Sequence, residues 1–295
     1  MNTIVITIIS LSVIGSLSGV ILFLIAQKFK VFEDPRIDDV EGILPGANCG
    51  GCGFPGCRGF ADACVKAESL DLMFCPVGGN DGMVKVAEAL GRVAATKDPT
   101  VAVVRCAGSP DHRRRTNRYD SAMTCEIASG LYSGDTACSF GCLGLGDCTV
   151  VCTFDAIHMN PVTLLPEVDD AKCTSCGACV KACPKMIIEL RKKNKKDRKI
   201  YVSCINMDKG ASAKKACSVA CIGCKACLKA CEYDAITIEN FLAYIDPVKC
   251  KLCRKCVEVC PTDSIQEINF PPRKKADVEV AVTETQANKT IMEGF

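Results

Sequence analysis

The chain has 295 residues, enough for two or more domains, and its net charge of +2 gives no global sign of nucleic-acid binding. It carries 25 cysteines but only two histidines and no tryptophan, and 5% of its residues are aromatic. Two classes remain, a metal–thiolate protein or a disulfide-stapled secreted one, each compensating for a thin apolar core.

In chain order the first element is apolar. From Thr3 to Ala26 no side chain is charged, long enough for a helix to cross a hydrocarbon layer of about 30 Å. No positive n-region or small-residue cleavage site marks a signal peptide, so residues 1–27 are predicted to be a retained transmembrane anchor. Ser12, Gly15, Ser16 and Gly19 form a small-residue stripe. It suits close packing by another membrane helix, or simply reflects the frequency of Gly and Ser in such helices. Lys28 and Lys30 follow the run and nothing basic precedes it. The positive-inside rule then places the rest of the chain in the cytoplasm, where thiols stay reduced.

Residues 28–97 are predicted to be a small helical iron–sulfur domain. In "CGGCGFPGC", Cys49, Cys52 and Cys57 stand at C-x2-C-x4-C, and Cys75 completes a set of four. The glycines permit a tight loop whose amides can face cluster sulfides. A helix is expected over 58–70, with Cys64 on it as a buried bystander, and a further helix within "DGMVKVAEALGRVAATKDP". Zinc is the alternative occupant here.

The remainder is an internal repeat. "ACSFGCLGLGDCTVVCTFDAI" (137–157) aligns without a gap on "ACSVACIGCKACLKACEYDAI" (216–236), and "KCTSCGACVKACP" (172–184) pairs with "KCKLCRKCVEVCP" (249–261). Cysteines at C-x2-C-x2-C-x3-C followed by proline have the bacterial ferredoxin spacing, in which the fourth thiolate serves the neighbouring cluster. Structural zinc ordinarily uses two separated C-x2-4-C pairs instead. Two modules are therefore predicted, 98–190 (with a leader) and 191–265, followed by a disordered tail over 266–295.

Crossed ligation assigns Cys221, Cys224 and Cys227 with Cys260, and Cys250, Cys253 and Cys256 with Cys231. In the first module Cys173, Cys176 and Cys179 go with Cys152. The other first-module set is irregular, because Leu145 stands where the second module has Cys224. Cys142, Cys148 and Cys183 remain, and Cys138 is the nearest substitute for the fourth ligand. Five [4Fe–4S] clusters are thus expected. Cys106, Cys125, Cys204 and Cys217 are left as candidates for a sixth cage, against structural thiols or a zinc site as the plainer reading. "DAIHM", "MIIEL" and "DAITI" are expected to be strands enclosing the clusters. Two basic runs, "HRRRTNR" (112–118) and "RKKNKKDRK" (191–199), are either solvated loops or a docking rim for an acidic redox partner.

The predicted fold class is α+β: one transmembrane helix, a small helical iron–sulfur domain and two tandem 2[4Fe–4S] ferredoxin-like modules. This order of motifs, from the anchor through "CGGCGFPGC" to "GCLGLGDC" and the ferredoxin repeats, resembles the RnfB family of the Rnf electron-transport complex, in an extended form with two modules. The resemblance implies a bacterial cytoplasmic-membrane complex that oxidises reduced ferredoxin, reduces NAD and moves sodium ions or protons outward. It also implies that this chain accepts electrons from soluble ferredoxin and feeds a membrane core, with NAD bound on a separate polypeptide of the complex. No P-loop, G-x-G-x-x-G fingerprint or nucleophile–base pair is present, so the chemistry expected is electron transfer alone, with no catalytic residue. A membrane-tethered polyferredoxin serving another reductase, and an iron–sulfur sensor, are the competing readings.

Overall fold

A computed structural model describes residues 2–28, 33–131 and 135–272. The described chain divides into two compact units that do not follow the sequence repeat. One holds the residues up to Val104, Arg118–Asp135 and Cys142–Lys192; the other holds Arg105–Asn117, Thr136–Gly141 and the residues from Lys193 onward. Two pieces of the predicted first module, 105–117 from its leader and 136–141 at the start of its repeat, therefore fold with the second.

The first unit begins with α1 (Asn2–Lys28). It is about 40 Å long at 1.5 Å per residue, and its described side chains are exposed on every side. A helix apolar all round needs a nonaqueous environment, and among the described residues α1 alone is long and apolar enough to cross a membrane. Three helices follow, α2 (Arg36–Ile43), α3 (Gly56–Lys66) and α4 (Gly79–Leu90). Apolar residues at helical spacing bury one face of each, with Val40, Phe60, Met83 and Val86 nearly or fully inaccessible; α3 stops at Lys66, short of the expected 58–70, and Leu70 is buried from the loop that follows. Gly91 closes α4 in the left-handed region at φ 63°. Arg92 then caps α3, donating to the carbonyls of Cys64 and Val65 at 2.5 and 3.2 Å.

Next come β1 (Thr100–Val104), α5 (Cys125–Leu131), α6 (Asp147–Val150), β2 (Ile157–Met159), β3 (Pro166–Val168), α7 (Ala178–Ala182) and β4 (Ile188–Lys192). β1 pairs antiparallel with β4, Thr100 opposite Lys192, and β2 with β3, Ile157 opposite Val168. The second unit repeats the scheme with β5 (Lys199–Val202), α8 (Gly210–Ala216), α9 (Ala226–Ala230), β6 (Ile236–Glu239), β7 (Leu242–Ile245), α10 (Lys255–Glu258) and β8 (Ile265–Ile268). There β5 pairs with β8 and β6 with β7, both antiparallel. β8 extends past position 265, so the first residues of the expected tail are ordered into a sheet; positions 273–295 lie outside the described residues.

The basic runs are only in part solvated: Arg114, Arg115, Lys195 and Lys196 are exposed, but three of their neighbours are not. Arg113, Arg191 and Lys199 are buried, at 7%, 3% and 7% exposure. Arg191 pairs with Glu189 at 2.6 Å, and Lys192 with Asp98 at 2.7 Å. Arg113 is thereby removed from the expected docking rim.

Candidate metal centres

The short helices α6, α7, α9 and α10 each begin just after a residue in the left-handed region: Gly146, Gly177, Lys225 and Arg254. That turn reverses the chain between neighbouring cysteines and points their thiols to one side. The first module uses glycine there; the second tolerates the strain of a side chain.

Cys152, Cys173, Cys176 and Cys179 line one cavity, closed by Ala102, Ile157, Val168 and Leu190, enclosing about 370 Å³ with its mouth. Cys231, Cys250, Cys253 and Cys256 line an equivalent cavity of about 320 Å³. Cys221, Cys224 and Cys260 all bear electrostatically on Cys227. These three groupings are the ones that crossed ferredoxin spacing predicts. In the helical domain Cys52 and Cys57 bear on Cys75, and Cys49 is on the same loop. Asn48 holds that loop by accepting from the Cys57 amide at 2.7 Å. Cys64 is fully buried in the helical core and its thiol is pushed up to about 11 by burial.

The irregular set differs from expectation. Cys142, Cys148 and Cys183 share a cavity of about 360 Å³ with Cys125, not with Cys138. Cys125 opens α5, and Glu126 anchors that turn by donating its amide to Asp147 at 3.2 Å. Burial pushes the Cys125 thiol up, while the backbone N–H groups of Asp147 and Leu145 favour its thiolate. Leu145 lacks the thiol of its repeat counterpart, and its amide instead supports a cysteine from a separate segment. Cys138 belongs to the second unit, beside Cys106, Cys204 and Cys217. The sequence carried one faint signal for this exchange, since Cys217, the repeat counterpart of Cys138, is also spare in its own module.

The cages suit a cluster better than a single ion. Among the described residues no three Cys, His, Asp or Glu side chains converge closely enough to hold one metal ion. Four thiolates on zinc would sit at about 2.3 Å from it and so within ~4 Å of one another. Burial pushes the thiols of Cys148 and Cys256 up to about 12 and those of Cys179 and Cys227 to about 11. As free groups these thiols would stay protonated at neutral pH, and a bound metal must supply the compensating charge. Several sulfurs already have donors. Ala156 and Ala243 direct amides at Cys152 and Cys221, at 3.4 and 3.5 Å, and Gly78 at Cys75 at 3.4 Å. Burial raises Cys260, but hydrogen bonds from Ser264 and Thr262 outweigh it and leave that thiol below its ordinary value.

Within each unit the cages adjoin. Gly51, in the first cysteine loop, lies against the backbone of Cys176. Cys179 bears on Cys148. In the second unit Cys221 bears on Cys204, and Cys227 on Cys256.

Comparison with known proteins agrees with this chemistry. The family described as 4Fe-4S dicluster domain matches residues 220–264, that described as Putative Fe-S cluster matches 44–77, and 4Fe-4S binding domain matches 166–189. The B subunit of the Na(+)-translocating ferredoxin:NAD(+) oxidoreductase complex of Acetobacterium woodii is 44% identical over 251 residues, covering 85% of this chain and 74% of that one. The B subunit of the ion-translocating oxidoreductase complex of Methanosarcina acetivorans is 39% identical, covering 80% and 88%. Its counterpart in the proton-translocating ferredoxin:NAD(+) oxidoreductase complex of Clostridium ljungdahlii is 38% identical, covering 85% and 87%.

Proposed function

The chain belongs to the RnfB family of ion-translocating oxidoreductase complexes, and from that premise we propose that it receives electrons from reduced ferredoxin and delivers them to membrane-embedded partners. The observation that carries the proposal is the succession of adjoining thiol cages within each unit. Five of them would hold [4Fe–4S] clusters: Cys49, Cys52, Cys57 and Cys75; Cys152, Cys173, Cys176 and Cys179; Cys125, Cys142, Cys148 and Cys183; Cys221, Cys224, Cys227 and Cys260; Cys231, Cys250, Cys253 and Cys256. A bound cluster supplies reversible one-electron uptake. The chain's own part is to hold the sulfurs, to offset negative charge at them through amides such as those of Ala156 and Ala243, and to keep water out with β2, β4 and β6.

The second module offers the better docking face. Cys224 and Cys253 are exposed thiols, whereas every cysteine in the first unit is buried or half-buried. Exposed Lys225, Lys249 and Lys251 flank them. A small acidic iron–sulfur protein would be steered there by complementary charge and brought close to a cage edge. Purified in its native membrane complex, the protein should support ferredoxin-driven NAD reduction coupled to ion transport. Replacing Lys225, Lys249 and Lys251 by glutamine should slow ferredoxin oxidation at low ionic strength and have little effect at high salt. An absence of ferredoxin oxidation in the intact complex would defeat the proposal, and a salt-independent rate in the triple variant would defeat the docking face.

Lys28 at the end of α1 and Lys30 just beyond support placing all cages on the cytoplasmic side. Protease added to spheroplasts should leave residues after α1 uncut until the cells are lysed; cleavage in intact spheroplasts would reverse the topology.

A further inference from the structure

Four cysteines with no ferredoxin spacing meet in the second unit. Cys106, Cys138, Cys204 and Cys217 line a single cavity of about 380 Å³, matching the 320–370 Å³ of the ferredoxin-type cages. None of the matched families reaches any of the four, since those matches cover 44–77, 166–189 and 220–264. We propose that Cys106, Cys138, Cys204 and Cys217 hold a sixth [4Fe–4S] cluster, an inference that rests on the five-cage reading above and extends it.

Backbone stitching explains how residues so far apart in sequence converge. Arg113 bridges Cys217 and Arg115 bridges Thr136, both antiparallel. Between them the Arg114 amide donates to the Ala216 carbonyl at 3.2 Å, and the Ala137 amide donates to the Arg114 carbonyl at 2.9 Å. A third tie, from the Ala107 amide to the Ser203 carbonyl at 3.1 Å, brings Cys106 beside Cys204. The segment 113–115 thus holds Cys138 and Cys217 together, and the 106–107 turn adds the other pair.

Local chemistry is that of a cluster cage. Cys138, Cys204 and Cys217 are 7–9% exposed. Gly108 packs beside two of the sulfurs: a Cβ there would lie 3.4 Å from that of Cys217 and 3.7 Å from that of Cys106. Asn206, 1% exposed, serves two of the four sulfurs, its amide N–H pointing at Cys204 at 3.4 Å and its side-chain Nδ2 at Cys138 at 3.5 Å. Buried Arg113 lines the cavity and adds positive charge next to what would be a dianionic cluster with its four thiolates. Cys221 bears on Cys204, so this cage adjoins that of Cys221, Cys224, Cys227 and Cys260 just as the Cys49–Cys57 loop adjoins Cys176.

The test is metal analysis of the full chain in its complex, prepared anaerobically, with electron paramagnetic resonance of the reduced protein. At four irons per cluster, six cages give about 24 iron atoms per chain and five give about 20. The expected result is about 24 iron without zinc, falling by about four in Cys106→Ala and again in Cys138→Ala, with the remaining signals intact. About 20 iron in the parent protein, unchanged in both variants, overturns the sixth cluster and leaves the five-cage reading standing; so does one zinc per chain lost in those variants. If the parent holds fewer than about 20 iron and both variants still lose about four, the five-cage reading fails and the sixth cluster stands. Should the alanine variants not accumulate, Asn206→Leu keeps every thiol while removing the hydrogen bond to Cys138. Full iron content with one reduction midpoint shifted downward supports the proposal, and an unshifted redox titration overturns it.

Discussion

Replacing Cys125 by alanine should strip about four iron atoms from the chain and abolish one cluster of the first module. Its partners Cys142 and Cys148, both buried, and the half-buried Cys183 would then be three thiols around a cavity lined by four. The amides of Leu145 and Asp147 favour a thiolate at the Cys125 position, and alanine leaves them without it. Cys138, the nearest cysteine in sequence, belongs to the other unit. Electron transfer through the first module should fall steeply, while the signals of the second module persist. Iron analysis beside electron paramagnetic resonance would decide the matter: a Cys125→Ala protein with its full iron content would return the fourth ligand to another residue.

Gly51→Val should uncouple the helical domain from the first ferredoxin module without removing iron. A Cβ at position 51 would lie 2.7 Å from the carbonyl oxygen of Cys176 and 3.0 Å from its Cα. Both are backbone atoms, in the loop between Cys173 and α7, so they cannot swing aside as a side-chain tip would. Overpacking of this kind costs about 1–3 kcal/mol, and the cheapest relief is for the 49–57 loop to move away from Cys176. The loop's own thiols move with it and remain able to bind iron. Transfer between neighbouring cages weakens steeply with their separation, so electron input should slow while iron content and the total number of reducible centres stay the same. Unchanged single-turnover kinetics in this variant would show that the contact does not lie on the electron path.

Burial of Arg113 and Arg191 shows how a linear charge run misleads. Read along the chain, both belong to strongly basic stretches of the kind that normally form a solvated face. In the fold Arg113 lines the cavity of Cys106, Cys138, Cys204 and Cys217, and Arg191 sits inside β4 beside Glu189. Arg114, Arg115, Lys195 and Lys196 stay exposed, while the docking face we propose uses Lys225, Lys249 and Lys251, which belong to no charge run.

Local spacing by itself determined much of this protein. Cysteines at C-x2-C-x2-C define their cages because a chain reversing over two residues has few ways to place its thiols. The apolar run of α1, the helical face of Phe60, Cys64 and Val65, and the strands at Ile157, Ile188 and Ile236 are likewise short-range patterns that their periodicity announces. Only tertiary structure could decide which cage takes Cys125 and which takes Cys138. Both lie outside the tight motifs: Cys125 is held by the bond from the Glu126 amide to Asp147, and Cys138 by the tie of Ala137 to Arg114, which is itself bonded to the distant Ala216. A repeat alignment assumes that each copy folds upon itself. Here the pieces 105–117 and 136–141 fold with the second copy, because their backbone partners and the thiols they complete lie there.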